Sequence, residues 1–367
     1  MNKKIVYLIH SLPSGGSENV FLRTLPKIKN TDNIVVTLRG KGSLFQNFIE
    51  AGIPVFEIGQ KNFLDLSSYV RTLKILKEIK PDLILTNLLH ADIYGRFFIQ
   101  LFTNYRVVPY LQTTYNFKRY WPARLFEKIS KYLVKEYLAN SEAVKKFYIN
   151  NYSINSNKIK VIPNGIDIEF YKNITIDSNY KKSLGIKSNH FIISCVANLH
   201  QNKGHFYLIK AFAKLYKNNH KIQLLIIGDG PERERLKIMS SEYLNSKNII
   251  FLGKRSDVAQ ILKCSNLFVL PTFFEGLSNA IMEAMTSALP IITTDIPENR
   301  ELITNNFSGM LCPTKNHLDL ANIILTLKND PTKRTFLGLN AAKKIEEEYD
   351  INFIISKWEN YFKKYGN

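Results

Sequence analysis

The segment PTFFEGLSNAIMEAM, Pro271–Met285, places two carboxylates, Glu275 and Glu283, around the run Gly-Leu-Ser-Asn. The preceding LFVLPT reads as the end of a strand. SNAIMEAMTSA reads as a helix with Ser278 at its N-cap. Glu275 then stands on a strand-to-helix loop and Glu283 further into the helix. The N–H groups of Gly276, Leu277, Ser278 and Asn279 belong to a helix start, which is a preformed anion site. Carboxylates pair well with vicinal hydroxyls. Two carboxylates beside an anion site therefore suit a ligand that combines phosphate with hydroxyls, as a sugar nucleotide does. A helix-dipole carboxylate at 275 and a solvated helix residue at 283 account for the same spacing.

Other groups carry chemistry of the same kind. Gly228, Asp229 and Gly230 in LLIIGDGPERERLK close a strand, where the backbone either passes close to a ligand or simply turns. Gly253–Lys254–Arg255 follows another strand and offers cations to a base or to phosphates. Gly15 and Gly16 in SLPSGGSENV follow the first strand, without the G-x-G-x-x-G dinucleotide fingerprint. No D-x-D occurs, and no His/Cys/carboxylate cluster has metal-ligand spacing. The expectation is no metal and no cofactor, with any nucleotide-sugar acting as co-substrate.

These loops need strands to hold them. In the first half KIVYLIH, NIVVTL, PVFEIG, DLILTN and RVVPYLQ read as buried strands; in the second, HFIISCVANL, IQLLIIGDG, IIFLG, LFVLPT and PIITTD. Amphipathic stretches alternate with them. Phe206, Ile209, Ala213 and Tyr216 lie at helical spacing. Such alternation means parallel sheets covered on both faces. The pattern restarts after KNITIDSNYKKSLGIKSN, so the division lies near Asp167–Asn189. Two doubly wound α/β domains are expected, with ligands at the carboxyl ends of the strands and in the cleft between domains.

VIPNGID, NKGHFYLIKAF, LLIIGDGPERERLK and the block from Ile249 to Met285 follow one another in that order. Together they resemble the retaining glycosyltransferases of family 4 (group 1), most closely from about Leu138 to Ile303. The resemblance implies the GT-B fold: two Rossmann-like domains facing across a cleft. The chain divides on this reading into an acceptor-binding domain over 1–168, a donor-binding domain over 169–345, and a terminal helix, 346–367, crossing back to the first domain. It further implies that Glu283 binds ribose hydroxyls. Glu275 and the backbone of Gly276–Asn279 hold the transferred sugar and diphosphate, and Lys203 lies against that diphosphate. A fixed cation beside helix N–H groups would stabilise the charge that builds on the leaving group. Gly15–Gly16, followed by Glu18, resembles the family's N-terminal glycine loop.

The chain departs from the family twice. Asn198, in CVANLHQNKG, stands where an arginine is usual, and Arg255 is the expected substitute cation. Gln112, Thr113, Thr114 and Tyr115 stand where many relatives carry a histidine, which leaves His90 in TNLLHAD as the candidate. Glu275, Lys203 and His90 are thus the expected catalytic residues. Gly15, Gly16, Asn198, Gly228, Asp229, Gly230, Arg255 and Glu283 are expected around the donor.

Bulk properties agree with a two-domain enzyme. The 367 residues are 45% hydrophobic and 22% charged, enough for real cores. Net charge is +19. Residues 1–166 hold 24 Lys and Arg against 11 Asp and Glu, and the remainder 26 against 20. The basic first half suits an anionic partner, or reflects a composition rich in Lys, Asn and Ile. Asn116–Leu138 reads as a basic helix with Tyr120, Trp121, Leu125, Phe126 and Ile129 interleaved, fit to lie on an anionic membrane or to pack as an ordinary helix. Cys195, Cys264 and Cys312 lie in separate apolar runs and read as core residues of a reducing compartment. With no apparent signal peptide or membrane span, the expected place is the cytoplasm, at the inner face of the membrane. The expected partners are a nucleotide-sugar donor, UDP-sugar favoured, and a saccharide or lipid-linked acceptor, with no nucleic acid. The expected role is bacterial surface polysaccharide or glycolipid synthesis by a hexosyltransferase. Two other classes fit less of the chain: a sugar-nucleotide epimerase of the same fold, and a non-catalytic basic binding module, for which no nucleic-acid motif accompanies the charge.

Overall fold

The computed structural model describes residues 2–62, 65–114, 121–218, 220–244 and 248–365. The chain forms two compact units, one of Met1–Gly165 with Ile351–Asn367, the other of Ile166–Asp350.

The first unit holds seven strands: β1 (Lys3–Ile9), β2 (Thr31–Thr37), β3 (Val55–Glu57), β4 (Leu83–Asn87), β5 (Val107–Leu111), β6 (Tyr137–Ala139) and β7 (Ile159–Val161). Their order is β3-β2-β1-β4-β5-β6-β7, every pairing parallel. The second unit holds β8 (Phe191–Val196), β9 (Ile222–Ile227), β10 (Ile249–Gly253), β11 (Leu267–Leu270), β12 (Ile291–Thr294) and β13 (Met310–Cys312). Their order is β10-β9-β8-β11-β12-β13, again parallel throughout.

Sequence and burial explain the arrangement. Ile5–Ile9, Leu83–Leu85 and Ile222–Ile227 are buried without alternation, as strands covered on both faces must be. Each sheet reverses strand order once, between β1 and β4 and between β8 and β11. The crevice at such a reversal, outside the carboxyl ends, is where open α/β sheets bind ligands.

The structure adds strands that hydropathy did not mark. β6, β7 and β13 have three residues each, too short for a period to register. β6 also corrects the long basic helix. The helix ends at Ser130, and Leu138 lies in the sheet. Tyr115, Lys118, Arg119 and Tyr120 lie outside the described residues. The interval after Asp167 belongs to the second unit and includes a short helix, Ser178–Ser183.

The last helix, Ile351–Phe362, packs in the first unit's core. Ile354, Trp358 and Phe362 lie with Tyr110, Leu138 and Ile162. The Trp358 ring meets Tyr110 edge-on at 5.4 Å. Phe353, one residue before Ile354, faces outward and is 48% exposed. Truncating a buried Trp or Phe of this kind costs about 3–5 kcal/mol.

Candidate active site

The second unit brings Lys203 and Glu275 together. The Lys203 ammonium donates to Glu275 Oε1 at 2.6 Å, with both side chains largely out of solvent. Two loops make this possible. One follows β8 and ends at Gly204; the other follows β11. Asn202 O accepts from Phe273 N at 2.7 Å and from Thr272 Oγ1 at 3.1 Å, which stitches them. Gly204 has φ +71°, and the position of an added Cβ is already filled by the Pro271 carbonyl. Only glycine allows the lysine loop to lie so close. Behind the β11 loop, Asn299 Nδ2 donates to Thr293 Oγ1 at 2.7 Å and to Thr294 O at 2.9 Å, and Thr294 Oγ1 donates to Thr272 O.

Asn279–Thr286 is helical with Ser278 at its N-cap, as the spacing implies, though the serine hydroxyl makes no capping bond. The backbone N–H groups of Gly276, Leu277 and Ser278 find no backbone acceptor among the described residues. They offer donors to an anion beside the Lys203 ammonium. Glu283 lies one turn further along this helix and is buried.

Gly228, Asp229 and Gly230 form the neighbouring wall of the same unit. Gly228 has φ +133° and its missing side chain would strike the Ala197 carbonyl, next to Asn198 N. A Cβ at Gly230 would likewise strike the Leu199 backbone, at 2.6 Å from its carbonyl oxygen. Asp229 O accepts from Leu199 N at 2.9 Å, so the turn is fastened to the Asn198 loop. Asn198 itself is exposed. The Asp229 carboxylate accepts from Gly230 N at 2.8 Å and pairs with Arg233 at 2.7 Å; the Gly230 N–H, then Arg233, hold its pKa below the ordinary carboxylate value.

Arg255 is committed elsewhere. It forms a two-pronged pair with Asp257, at 2.8 and 2.5 Å, and Tyr180 donates to the same carboxylate at 2.8 Å. Arg233 is the cation that residue reading passed over. Its guanidinium lies beside Gly253 as well as Asp229, between the ends of β9 and β10. The Asp229–Arg233 spacing of four at a helix start was the available signal. His205, directly after Gly204, is buried with both ring nitrogens unpartnered among the described residues. Burial, then the Lys203 charge, pushes its pKa down to about 4.

Gly15, Gly16 and His90 belong to the first unit. Gly15 is the N-cap of helix Gly16–Thr24, and the Glu18 carboxylate folds over it where a Cβ would stand. Glu18 is buried, which raises its pKa. His90 Nε2 lies 3.0 Å from Gln60 Oε1, and its ring meets His10 edge-on with centroids 4.5 Å apart. Burial, then each other's company and Arg39, lowers the His90 pKa; burial, then Arg39, lowers that of His10. Among the described residues no group of three or more His, Cys, Asp or Glu is placed to hold a metal ion. No helix among them is long and apolar enough to cross a membrane.

The two parallel-sheet Rossmann-like units have the architecture of the GT-B glycosyltransferases, and comparison with known proteins agrees. A family model described as Glycosyltransferase Family 4 matches residues 14–170, and one described as Glycosyl transferases group 1 matches residues 177–344. The chain belongs to this family of glycosyltransferases and is an enzyme of the transferase class. It is 28% identical to the capsular polysaccharide biosynthesis glycosyltransferase CapM of Staphylococcus aureus, over 98% of this chain and 97% of that one. It is 28% identical to an Escherichia coli UDP-Gal:alpha-D-GlcNAc-diphosphoundecaprenol alpha-1,3-galactosyltransferase, over 80% and 81%. The structure of Anabaena HepE in complex with UDP and glucose shares its fold, with a TM-score of 0.88 at 22% identity, covering 99% of this chain and all of that one.

Proposed function

We propose that the protein transfers a sugar from a nucleotide-diphosphate sugar, a UDP-sugar above others, to a saccharide or lipid-linked saccharide acceptor. The Lys203–Glu275 pair beside the open N–H groups of Gly276–Ser278 carries this reading. The second unit is the donor domain and the first the acceptor domain. In the reaction the bond between the anomeric carbon and the diphosphate oxygen breaks. Lys203 and the helix N–H groups stabilise the charge left on the diphosphate. Glu275 orients the sugar, and Glu283 binds ribose hydroxyls. The acceptor hydroxyl attacks from the face the diphosphate leaves, gives its proton to the departing phosphate oxygen, and the anomeric configuration is retained. Charge neutralisation rests on side chain and backbone, without a metal ion. Asn198, Gly228–Gly230 and Arg233 complete the donor wall, with Arg233 rather than Arg255 as the second cation. Gly15 and Gly16 serve the donor phosphate and the acceptor, and His90 is the candidate catalytic histidine.

The UDP preference draws on HepE, whose structure contains UDP, and on the E. coli relative, named for UDP-Gal. The biosynthetic role, surface polysaccharide or glycolipid, draws on CapM and the E. coli relative. A lipid-linked acceptor would be met from the cytoplasm, at the inner membrane face, and that is the location this reading favours. The surface supports this. On the helix Trp121–Ser130 the exposed Leu125 and Ile129 alternate with exposed Arg124 and Lys128, and Tyr132, Leu101 and Phe102 are also exposed. A basic face with apolar side chains suits an anionic bilayer. Co-sedimentation with anionic vesicles at low salt checks it, and no binding would sink the membrane contact.

Calorimetry with UDP, GDP and ADP, on the protein and on Glu283→Ala, tests the donor site. Binding of one nucleotide, weakened by the substitution, is the expected result. Equal binding by both proteins would remove Glu283 from the site.

A further inference from the structure

The amino edge of the first unit's sheet, opposite the edge that carries Gly15 and His90, gathers three cations on one carboxylate. Arg106 stands just before β5, Glu136 just before β6, and Lys160 within β7. Glu136 Oε2 accepts from Arg106 Nη2 at 3.1 Å and from the Tyr365 hydroxyl at 3.1 Å. Its Oε1 accepts from Lys364 Nζ at 2.5 Å and lies 3.3 Å from Lys160 Nζ. Two rings form a floor under the cations. The Lys364 ammonium lies 3.9 Å from the Tyr361 ring centre, and the Arg106 guanidinium 4.7 Å from that of Tyr365.

Strand alternation explains why they meet. Tyr110, Leu138 and Ile162 share one core with the terminal helix. Side chains alternate along a strand, so residues an even number of positions upstream point to the same face. Those residues are Arg106 on the first strand, Glu136 on the second and Lys160 on the third. Tyr110 pairs with Leu138, and Leu138 with Lys160, which brings the three amino ends together. The chain leaving the terminal helix adds Lys364 and Tyr365. Lys3 Nζ fastens that helix end, donating to Phe362 O at 2.9 Å and to Lys363 O at 2.6 Å.

The charges do not balance. Three cations face one carboxylate, and among the described residues none of the three pairs with another acid. Two positive charges are left over. Glu136 is spent, since each oxygen already has two partners and the residue is buried. The cations are not spent. The side chains of Lys160 and Arg106 are 53% and 45% exposed, and only one Arg106 nitrogen is engaged among the described residues. One cation would suffice to pin the helix end; the others repel each other. Burial lowers the Lys364 pKa, helped by the nearby Lys160 ammonium and opposed by Glu136. An anion relieves such crowding. A phosphate dianion matches the surplus in sign and size, and its oxygens accept from a guanidinium fork and from ammonium groups.

We propose that Arg106, Lys160 and Lys364 form a binding site for a phosphate group, on the edge of the sheet away from the transferase loops. The phosphate is free, as inorganic phosphate or a small phosphomonoester, or it is the phosphomonoester headgroup of a lipid. Bound there, it bridges β5, β7 and the chain end, and so tightens the seat of the terminal helix.

Thermal unfolding and isothermal titration of the full chain test it, with inorganic phosphate as the probe and sodium chloride holding ionic strength constant. The expected result is saturable binding and a Tm raised by several degrees in millimolar phosphate. Binding should weaken at least fivefold in Arg106→Gln and in Lys160→Gln. Lys74→Gln, at an exposed lysine of the helix Leu66–Ile79, should bind as the unsubstituted protein does. The titration, run well below the unfolding transition, reads the site even where a substitution shifts Tm in chloride. Any phosphate held near Lys203 in the second unit is common to all these proteins and cannot produce the difference. Absence of binding in the unsubstituted protein overturns the site. Undiminished binding in Arg106→Gln and Lys160→Gln overturns it too, as does equal weakening in Lys74→Gln, the mark of diffuse charge. Phosphatidylcholine vesicles with and without phosphatidic acid separate the sources. Co-sedimentation that needs phosphatidic acid and is cut by Arg106→Gln and Lys160→Gln assigns a lipid phosphate; co-sedimentation unaffected by them, with the titration weakened, assigns a free one.

Discussion

The two units carry the same kind of sheet and treat its carboxyl edge in opposite ways. In the second unit the edge is shaped by glycines pressed against backbone and laid with paired charges: Lys203 with Glu275, Arg233 with Asp229, Arg255 with Asp257. In the first unit it is lined by uncharged amides and imidazoles, among them Asn87, Gln112 and Asn140. A diphosphate calls for charge, whereas hydroxyls call for neutral donors and acceptors. A shared topology sets where a ligand sits, and edge chemistry sets which ligand it is.

The comparison is broken most directly at Lys203. Lys203→Ala removes the cation and its ion pair with Glu275. Transfer turnover should fall by about 10²–10³-fold. A loss under about tenfold in a steady-state assay would mean that the charged edge does not bear on the leaving group. Gly204→Ala should unfold the distinction by another route. A left-handed residue pressed on the Pro271 carbonyl should cost about 2–4 kcal/mol in urea denaturation, with activity falling in step.

The pH dependence of stability sharpens the contrast further. The folded His205 pKa is pushed from 6.5 down to about 4. Between those values the unfolded chain holds a proton that the folded chain does not. Stability therefore falls as pH drops through that window, by about 3 kcal/mol in all. His205→Phe should flatten that part of the stability curve, measured by chemical denaturation from pH 7 to pH 4.5. An unchanged slope would assign the acid sensitivity to other groups.

Glu283→Ala should weaken nucleotide binding by about 10–100-fold, the worth of charge-assisted hydrogen bonds to two hydroxyls. The smallest effect is expected at Arg255. Asp257 already holds its guanidinium, so Arg255→Ala should change donor KM by less than about threefold, whereas Arg233→Ala should raise it more. The reverse ranking would restore Arg255 as the cation that compensates for Asn198.

Much of the second unit's charged edge was legible because its signals are local. Glycine pairs at strand ends, a lysine before a helix, and two glutamates around one N-cap each lie within a dozen residues. The strands long enough to run apolar on both faces were legible too. β6, β7 and β13 were not, since three residues show no period and form by pairing with a sheet already built. The helix reading carried through to Leu138 because Leu133, Val134 and Leu138 keep helical spacing, and sheet pairing overrode it. Arg233 was passed over because its pairing partner is evident only once the turn is formed.

The sequence by itself determined the α/β alternation, the two domains' worth of core, and the charged loops of the second unit, because each depends on residues near one another in the chain. Asn87, Gln112 and Asn140 are separate polar residues far apart in sequence, none with a motif around it. Only the tertiary structure set them side by side, since strand order and register are settled by packing of whole strands rather than by any short stretch.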